Sequence, residues 1–241
     1  MAGIKAVFFD LGGVVLESPI HAITRIEQEH GLPRHALNKA LGLSQLFQQL
    51  ERGEISLQEF CPSFDDYLHN DALKRFSGQL EDFDVDLFMK CDIGGPGISV
   101  RPHFHLAIQR LKAAGLKVIA VTNNWKNKLS DDHGSGFQFI SSERMTQNNA
   151  QYAKMAGLFD DIVESCVVGR RKPDPAIFQV AMLKAGVSNA SQVVFLDDIR
   201  TNIVGADKLG FKTIHVTGDG KEALKKLSQI VQIDLFQVSK L

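Results

Sequence analysis

Residues Lys5 to Val15 read KAVFFDLGGVV. An apolar run, Val7 to Phe9, closes on a carboxylate, Asp10, and then on two glycines. That order describes a buried parallel strand opening into a loop whose backbone bends tightly or is approached closely. Asp10 then sits at a strand's carboxyl end, the edge of an open α/β sheet where ligands bind. Alone, the stretch reads equally well as an aspartate capping a turn. What decides between the two is how the other strands end.

Beyond Val15 the texture changes. From Glu17 to about Cys91 apolar residues recur at helical spacing, as in Ile20, Ile23 and Ile26 and again in Leu57, Phe60, Phe64 and Leu68, while β-branched runs disappear. This predicts an all-helical block inserted after the first strand. Ser56 is a candidate N-cap, with Glu59 at capping-box spacing. Ile93 to Pro102, IGGPGISVRP, is rich in Gly and Pro and predicts a hinge. The division expected is a core of residues 1–16 and 96–241 with a helical insert over 17–95.

After the hinge, helices and strands alternate, the pattern of a parallel sheet covered on both faces. The periodicity predicts a helix over 103–114 and a strand from Lys117 to Val121 that stops at Thr122-Asn123-Asn124. A polar loop over 126–146, a helix over 147–156 and a strand from Ile162 to Val168 follow. Gly169 to Pro175, GRRKPDP, is a cationic loop in which Asp174 is the N-cap and Pro175 the first residue of a helix to about Lys184. The strand Val193 to Leu196 ends at Asp197-Asp198. A helix to Leu209, a last strand Lys212 to Val216 and an amphipathic helix from about Gly220 complete the chain.

Bulk properties narrow the function. The 241 residues suffice for one large domain or a core with a smaller insert. A formal net charge of -1 and no basic stripe argue against charge-driven nucleic-acid binding. No apolar run approaches membrane-spanning length. Three cysteines, Cys61, Cys91 and Cys166, far apart and odd in number, indicate neither a disulfide framework nor a CxxC metal site. They fit a reducing, cytoplasmic setting, and a first strand so near residue 1 leaves no room for a signal or transit peptide. Asn189-Ala190-Ser191 is then a chance sequon. Nothing in these patterns speaks to oligomeric state.

Polar residues gather where strands finish: Asp10, then Thr122 and Asn123, then Lys172, then Asp197 and Asp198. In a parallel sheet all carboxyl ends share one edge, so these residues converge there. Three neighbouring carboxylates repel, which raises a pKa or recruits a divalent cation, and hard oxygen ligands suit Mg²⁺. With Lys172 and a hydroxyl beside them, a dianion such as phosphate fits opposite the metal. Asp10 is then the nucleophile, Thr122 and Asn123 donate to nonbridging oxygens, and Lys172 is the counter-charge.

The segments DLGGVV, VTNN, RRKPDP and FLDDIRTN, in this order and at these strand ends, resemble the haloacid dehalogenase superfamily. The chain is also similar to a branch of that superfamily, the phosphatase-like N-terminal regions of soluble epoxide hydrolase and acyl-CoA dehydrogenase family member 10. The resemblance covers essentially the whole chain. It implies an α/β fold, a Rossmann-like core of five or six parallel strands, with the helical block as its cap domain. It also implies an aspartyl-phosphate on Asp10, Mg²⁺ held by Asp10, the Gly12 backbone carbonyl and Asp198, and Asp197 supporting the metal water or Lys172. Asn202 matches an asparagine bordering the site in the epoxide hydrolase relatives. The substrate implied is a small phosphorylated molecule.

One departure matters. Family phosphatases carry Asp-x-Asp, whereas this chain has Asp10-Leu11-Gly12. The second Asp is the family's general acid and base, a role worth about 10² to 10⁴ in rate. Three outcomes stay open: a slow phosphatase for good leaving groups, an enzyme with its base elsewhere, or a noncatalytic phosphate-binding or scaffolding domain. The glycine also admits metal-independent dehalogenation, though Asp197-Asp198 is the phosphatase-type metal pair.

Other candidates have plainer readings. His103 and His105 do not share a helical face and lack a third ligand nearby. Arg170 and Arg171 attract an anion or form a surface pair, and Trp125 walls a pocket or packs in a core. Asp65-Asp66 and Asp131-Asp132 are expected to be exposed, Cys166 to be a small buried apolar residue, and Lys221 to Lys226 to face solvent.

Overall fold

The computed structural model describes residues 3–18, 20–89, 99–125 and 153–236. Five strands form one sheet: β1 (Ala6–Phe9), β2 (Lys117–Thr122), β3 (Asp161–Glu164), β4 (Val193–Asp197) and β5 (Lys212–His215), in the spatial order β3-β2-β1-β4-β5. All four pairings are parallel, and Phe9 lies level with Ala120 and Leu196. With β1 central, both its faces must be apolar, and Ala6 through Phe9 are fully buried. Val7 and Phe9 point into one apolar cluster and Ala6 and Phe8 into another, one on each side of the sheet.

Helices cover both clusters. α6 (Pro102–Ala113) and α10 (Lys221–Val231) bury Phe104, Ile108, Leu224 and Leu227 against the Phe9 side. α8 (Pro175–Ala185) and α9 (Arg200–Lys208) bury Phe178, Ala181 and Ala206 on the Phe8 side. α8 begins as its sequence predicts: Asp174 Oδ1 accepts from the Ala176 N–H at 2.9 Å, and Pro175 stands first in the helix.

Between Leu16 and Val100 the chain leaves the sheet to build the helical block: α1 (Ile20–Glu29), α2 (Ala36–Leu43), α3 (Gln45–Glu51), α4 (Leu57–Tyr67) and α5 (Val85–Leu87). It has a cluster of its own, including Ile23, Leu37, Leu50, Phe60 and Phe64. The capping box at the start of α4 is complete, since Ser56 Oγ accepts from the Glu59 N–H and Glu59 Oε2 accepts from the Ser56 N–H. α2 is capped from a distance, with buried Glu27 of α1 accepting from the N–H groups of His35, Leu37 and Asn38.

One expectation needs correction and several lie out of view. The strand expected over Ile162–Val168 is β3 only to Glu164; Ser165–Val168 is a helical turn, α7, that ends at left-handed Gly169. The loop over 126–146, most of the helix over 147–156, the boundary at 95/96, Cys91 and Asp131-Asp132 lie outside the described residues, though 153–156 are helical. Among the described residues no helix is long and apolar enough to cross a membrane.

The insert is seated on the core next to the strand ends. Glu51 of α3 is buried and pairs with Arg171 at 2.6 Å. Phe47 packs against Trp125 with centroids 5.9 Å apart, so Trp125 joins the insert's cluster. Gly53, at φ +68°, comes so close that a Cβ there would lie 2.5 Å from the Cys166 carbonyl oxygen. Both connections to the insert pass Arg101, whose buried guanidinium donates to the Gly13, Val14 and Gly218 carbonyls at 3.3 to 3.4 Å and pairs with Glu17.

Candidate functional site at the strand ends

Asp10 follows β1 directly, and its Oδ1 accepts from the Leu11 N–H at 2.7 Å. The chain then turns through Leu11–Val15, closed by the Leu16 N–H donating to the Leu11 carbonyl at 2.8 Å. The two glycines of the turn differ. Gly12 has φ -65° and ψ 128°, a conformation open to any residue. Gly13 has φ +75°, and a Cβ on it would fall 2.1 Å from Asp198 Oδ2. Only glycine lets this turn lie against the Asp198 carboxylate.

Lys172 reaches the same point from the loop before α8 and is fully buried. Its ammonium contacts Asp10 Oδ1 at 2.7 Å and Asp197 Oδ2 at 2.8 Å, and donates to the Val121 carbonyl at 2.7 Å. That loop is fastened by Asn123, whose Oδ1 accepts from the Lys172 N–H at 2.8 Å and whose Nδ2 donates to the Lys172 carbonyl at 3.1 Å. Asp197 is fully saturated: Oδ1 accepts from the Ile199 N–H, Oδ2 from Lys172, and Asn202 Nδ2 lies 3.1 Å from both oxygens. Thr122 is buried at the end of β2.

Oxygens of Asp10, Asp197 and Asp198 lie within 4.8 Å of one another. With all three carboxylates ionised and one ammonium among them, the cluster would carry two negative charges in excess. Burial pushes the Asp10 carboxyl up to about 8; Lys172 opposes that, and Asp197 and Asp198 reinforce it. Burial, then Asp197, pushes Asp198 up to about 6 against the pull of Lys172. Burial alone would lower Lys172, but Asp10 and Asp197 outweigh it and hold the ammonium above its ordinary value. Asp198 Oδ1 is buried without a hydrogen-bond partner, and a buried carboxylate oxygen left so is unfavourable. A divalent cation would answer both the excess charge and the orphaned oxygen.

The structure thus brings together Asp10, Lys172, Asp197, Asp198 and Asn202, with Thr122 and Asn123 at the adjoining strand end. Of the two expected donors at the end of β2, Asn123 has its side-chain amide bonded to the Lys172 main chain. Three features escaped sequence reading. Asn124, Glu164 and Ser165 form a buried network in which Asn124 Nδ2 donates to Glu164 at 2.5 Å and the Asn124 N–H to Ser165 Oγ at 2.9 Å; the polar ends of two adjacent strands were its only signal. Glu51 and Arg101 carried no local signal, because their partners are remote in sequence. Of the plainer candidates, His103 Nε2 meets the Asp219 carbonyl, and Cys166 is buried with Sγ 3.1 Å from Asn124 Oδ1.

Comparison with known proteins bears on the family and the fold. A family model described as haloacid dehalogenase-like hydrolase matches residues 4–210. Bifunctional epoxide hydrolase 2 of Sus scrofa is 30% identical over 238 residues, which is 97% of this chain and 40% of that protein. Acyl-CoA dehydrogenase family member 10 of Mus musculus is 28% identical over 236 residues, 96% of this chain and 19% of that protein. The chain therefore spans less than half the length of these two relatives. Among solved structures, a HAD family enzyme of Bacteroides thetaiotaomicron in complex with magnesium and inorganic phosphate has the same fold, with a TM-score of 0.54 at 19% identity over 93% of this chain and 99% of that one.

Proposed function

The chain belongs to the haloacid dehalogenase-like hydrolase family, and from that premise we propose that it is a Mg²⁺-dependent phosphatase-type protein acting on a small phosphorylated molecule through an aspartyl-phosphate on Asp10. The observation that carries the reading is the orphaned Asp198 oxygen beside an Asp10 carboxylate already held by Lys172. Asp197 is saturated, so Asp10, Asp198 and the Gly12 carbonyl are the oxygens to hold the metal, and Asp197 acts on Lys172. When bound, Mg²⁺ would neutralise charge on the carboxylates and the transferring phosphoryl group.

The chain's own groups do the rest. Lys172 holds Asp10 Oδ1, which leaves Oδ2 as the attacking oxygen. Its ammonium also offsets phosphate charge in a buried, weakly screened setting. Thr122 and the main chain at Asn123, at the end of β2, would donate to nonbridging oxygens. Asn202 and Ile199 fix Asp197, which fixes Lys172. The helical insert, seated by Glu51, Phe47 and Gly53, caps the strand ends and restricts the substrate to small molecules.

Gly12 weakens turnover of alkyl phosphates, for which general acid-base help is worth about 10² to 10⁴. Phosphate release from aryl and acyl phosphates, with Mg²⁺ and with a chelator, tests the reading. Mg²⁺-dependent release that Asp10→Asn abolishes supports it. Dehalogenation surviving the chelator would favour a metal-free hydrolase, and anion binding without any release a scaffolding domain, the reading that Gly12 otherwise favours.

A further inference from the structure

We propose that Asp10 accepts a phosphoryl group from donors whose leaving group departs without a proton, acyl phosphates first among them, and then retains it, so that the phosphorylated chain is a lasting state. The inference rests on Asp10 being the nucleophile, as argued above. It follows from how completely the acids and bases of the cluster are committed.

Lys172 has three N–H bonds, and Asp10 Oδ1, Asp197 Oδ2 and the Val121 carbonyl take them. Both Asp197 oxygens are hydrogen-bonded. The Asn123 amide is closed on the Lys172 main chain. His215 Nε2 is engaged at the Asp198 carbonyl, and Glu51 is tied to Arg171. Asp198 is left for a cation, and position 12, on the turn that follows Asp10, has no side chain. Among the described residues, no side chain hydrogen-bonded to Asp10 or Lys172 is free to give a proton to a leaving oxygen or to take one from water.

The two halves of the reaction then differ. In the first, an Asp10 oxygen attacks phosphorus, and the bond from phosphorus to the acyl oxygen breaks with its electron pair on that oxygen. A carboxylate anion leaves, and atoms and charge balance with no proton moved. An alkyl phosphate would have to expel an alkoxide, which needs an acid that this cluster lacks. In the second half, water must lose a proton as it attacks the aspartyl-phosphate, and none of the described side chains bonded to Asp10 or Lys172 takes it. Loading is therefore selective for acyl phosphates and kindred donors, and discharge is slow.

The test uses the full chain with Mg²⁺ and acetyl phosphate, read by intact-mass spectrometry. The wild type should gain one phosphoryl group that hydroxylamine removes, Asp10→Asn should gain none, and glycerol phosphate should load neither. After the donor is removed, the adduct on Gly12→Asp should disappear about 10²-fold faster or more than on the wild type. Gly12 has an ordinary backbone conformation, so the aspartate variant should fold; if it does not, the adduct on the folded wild type should last at least as long as on the same chain unfolded in urea, and a faster loss from the folded chain overturns the inference. An unmodified wild type that Mg²⁺ still stabilises against heat overturns the inference alone. So does a wild type that releases phosphate from acetyl phosphate as fast as Gly12→Asp without accumulating adduct. If Mg²⁺ does not stabilise the protein and neither adduct nor phosphate appears, the phosphatase reading falls with it.

Discussion

Alanine placed at each of the two adjacent glycines of the Asp10 turn should give opposite results. At Gly12, φ -65° and ψ 128° suit alanine, and reduced freedom of the unfolded chain favours the variant by about 0.4 to 1 kcal/mol. At Gly13, φ is +75° and the new Cβ would sit 2.1 Å from Asp198 Oδ2. The left-handed backbone costs about 1 to 2 kcal/mol for an alanine. The contact itself cannot be accommodated, so Asp198 must retreat by about 1 Å or more to reach ordinary van der Waals distance, which displaces a proposed metal ligand. Urea unfolding in a chelator should show Gly13→Ala less stable than wild type by about 1 to 2 kcal/mol, with Gly12→Ala at or above wild type. Adding Mg²⁺ should widen the gap, because a ligand at 100 times its Kd stabilises by about 2.7 kcal/mol and Gly13→Ala should forfeit most of that. If Gly13→Ala kept both wild-type stability and its full response to Mg²⁺, the proposed packing of turn and carboxylate would be refuted.

The metal-free protein should lose stability as pH rises. Asp10 and Asp198 are raised to about 8 and about 6 from an ordinary 3.8, so the folded state holds protons that the unfolded state has released. That contribution is complete below the unfolded pKa and lost as pH passes the folded values. Thermal melts in chelator should therefore fall between pH 5 and 8.5, estimated as about the window of these shifts, the Mg²⁺-induced rise should grow over the same range, and Asp10→Asn should flatten both. Arg171→Met would leave Glu51 buried without its cation; burial raises the Glu51 pKa and Arg171 lowers it. Because the Arg171 side chain is 23% exposed, a loss of about 2 to 3 kcal/mol in urea unfolding is expected, below the usual cost of breaking a buried pair. Arg101→Lys removes the planar fork that serves three carbonyls and Glu17, and should cost about 1 to 3 kcal/mol in the same assay; an unchanged midpoint would show that the brace is idle.

What the sequence made legible was local or periodic. The apolar run ending in Asp10, the Ser56-Glu59 box and the Asp174-Pro175 helix start depend on neighbouring residues alone, and each appears in the structure as read. Convergence of the strand ends followed from parallel topology, which alternation of helix and strand implied. The error at Ser165–Val168 has a physical cause: a run of four residues ending in two valines reads the same whether strand or helical turn, and the left-handed stop at Gly169 decides. Glu51, Glu27 and Arg101 were invisible because a charged side chain gives no hint of burial until its remote partner is known. The choice posed at Trp125 resolves toward packing, since Phe47 of the insert meets it.

The central position of β1 has a consequence for synthesis. Residues Ala6–Phe9 pair with Lys117–Ala120 on one edge and Val193–Leu196 on the other, so the strand leaves the ribosome long before either neighbour exists. In the interval, the helical insert, which has an apolar cluster of its own, is made in full and is positioned to close first. The nascent β1 segment meanwhile presents two unpaired apolar edges, a target for chaperones and a hazard for self-association until translation has delivered residue 196.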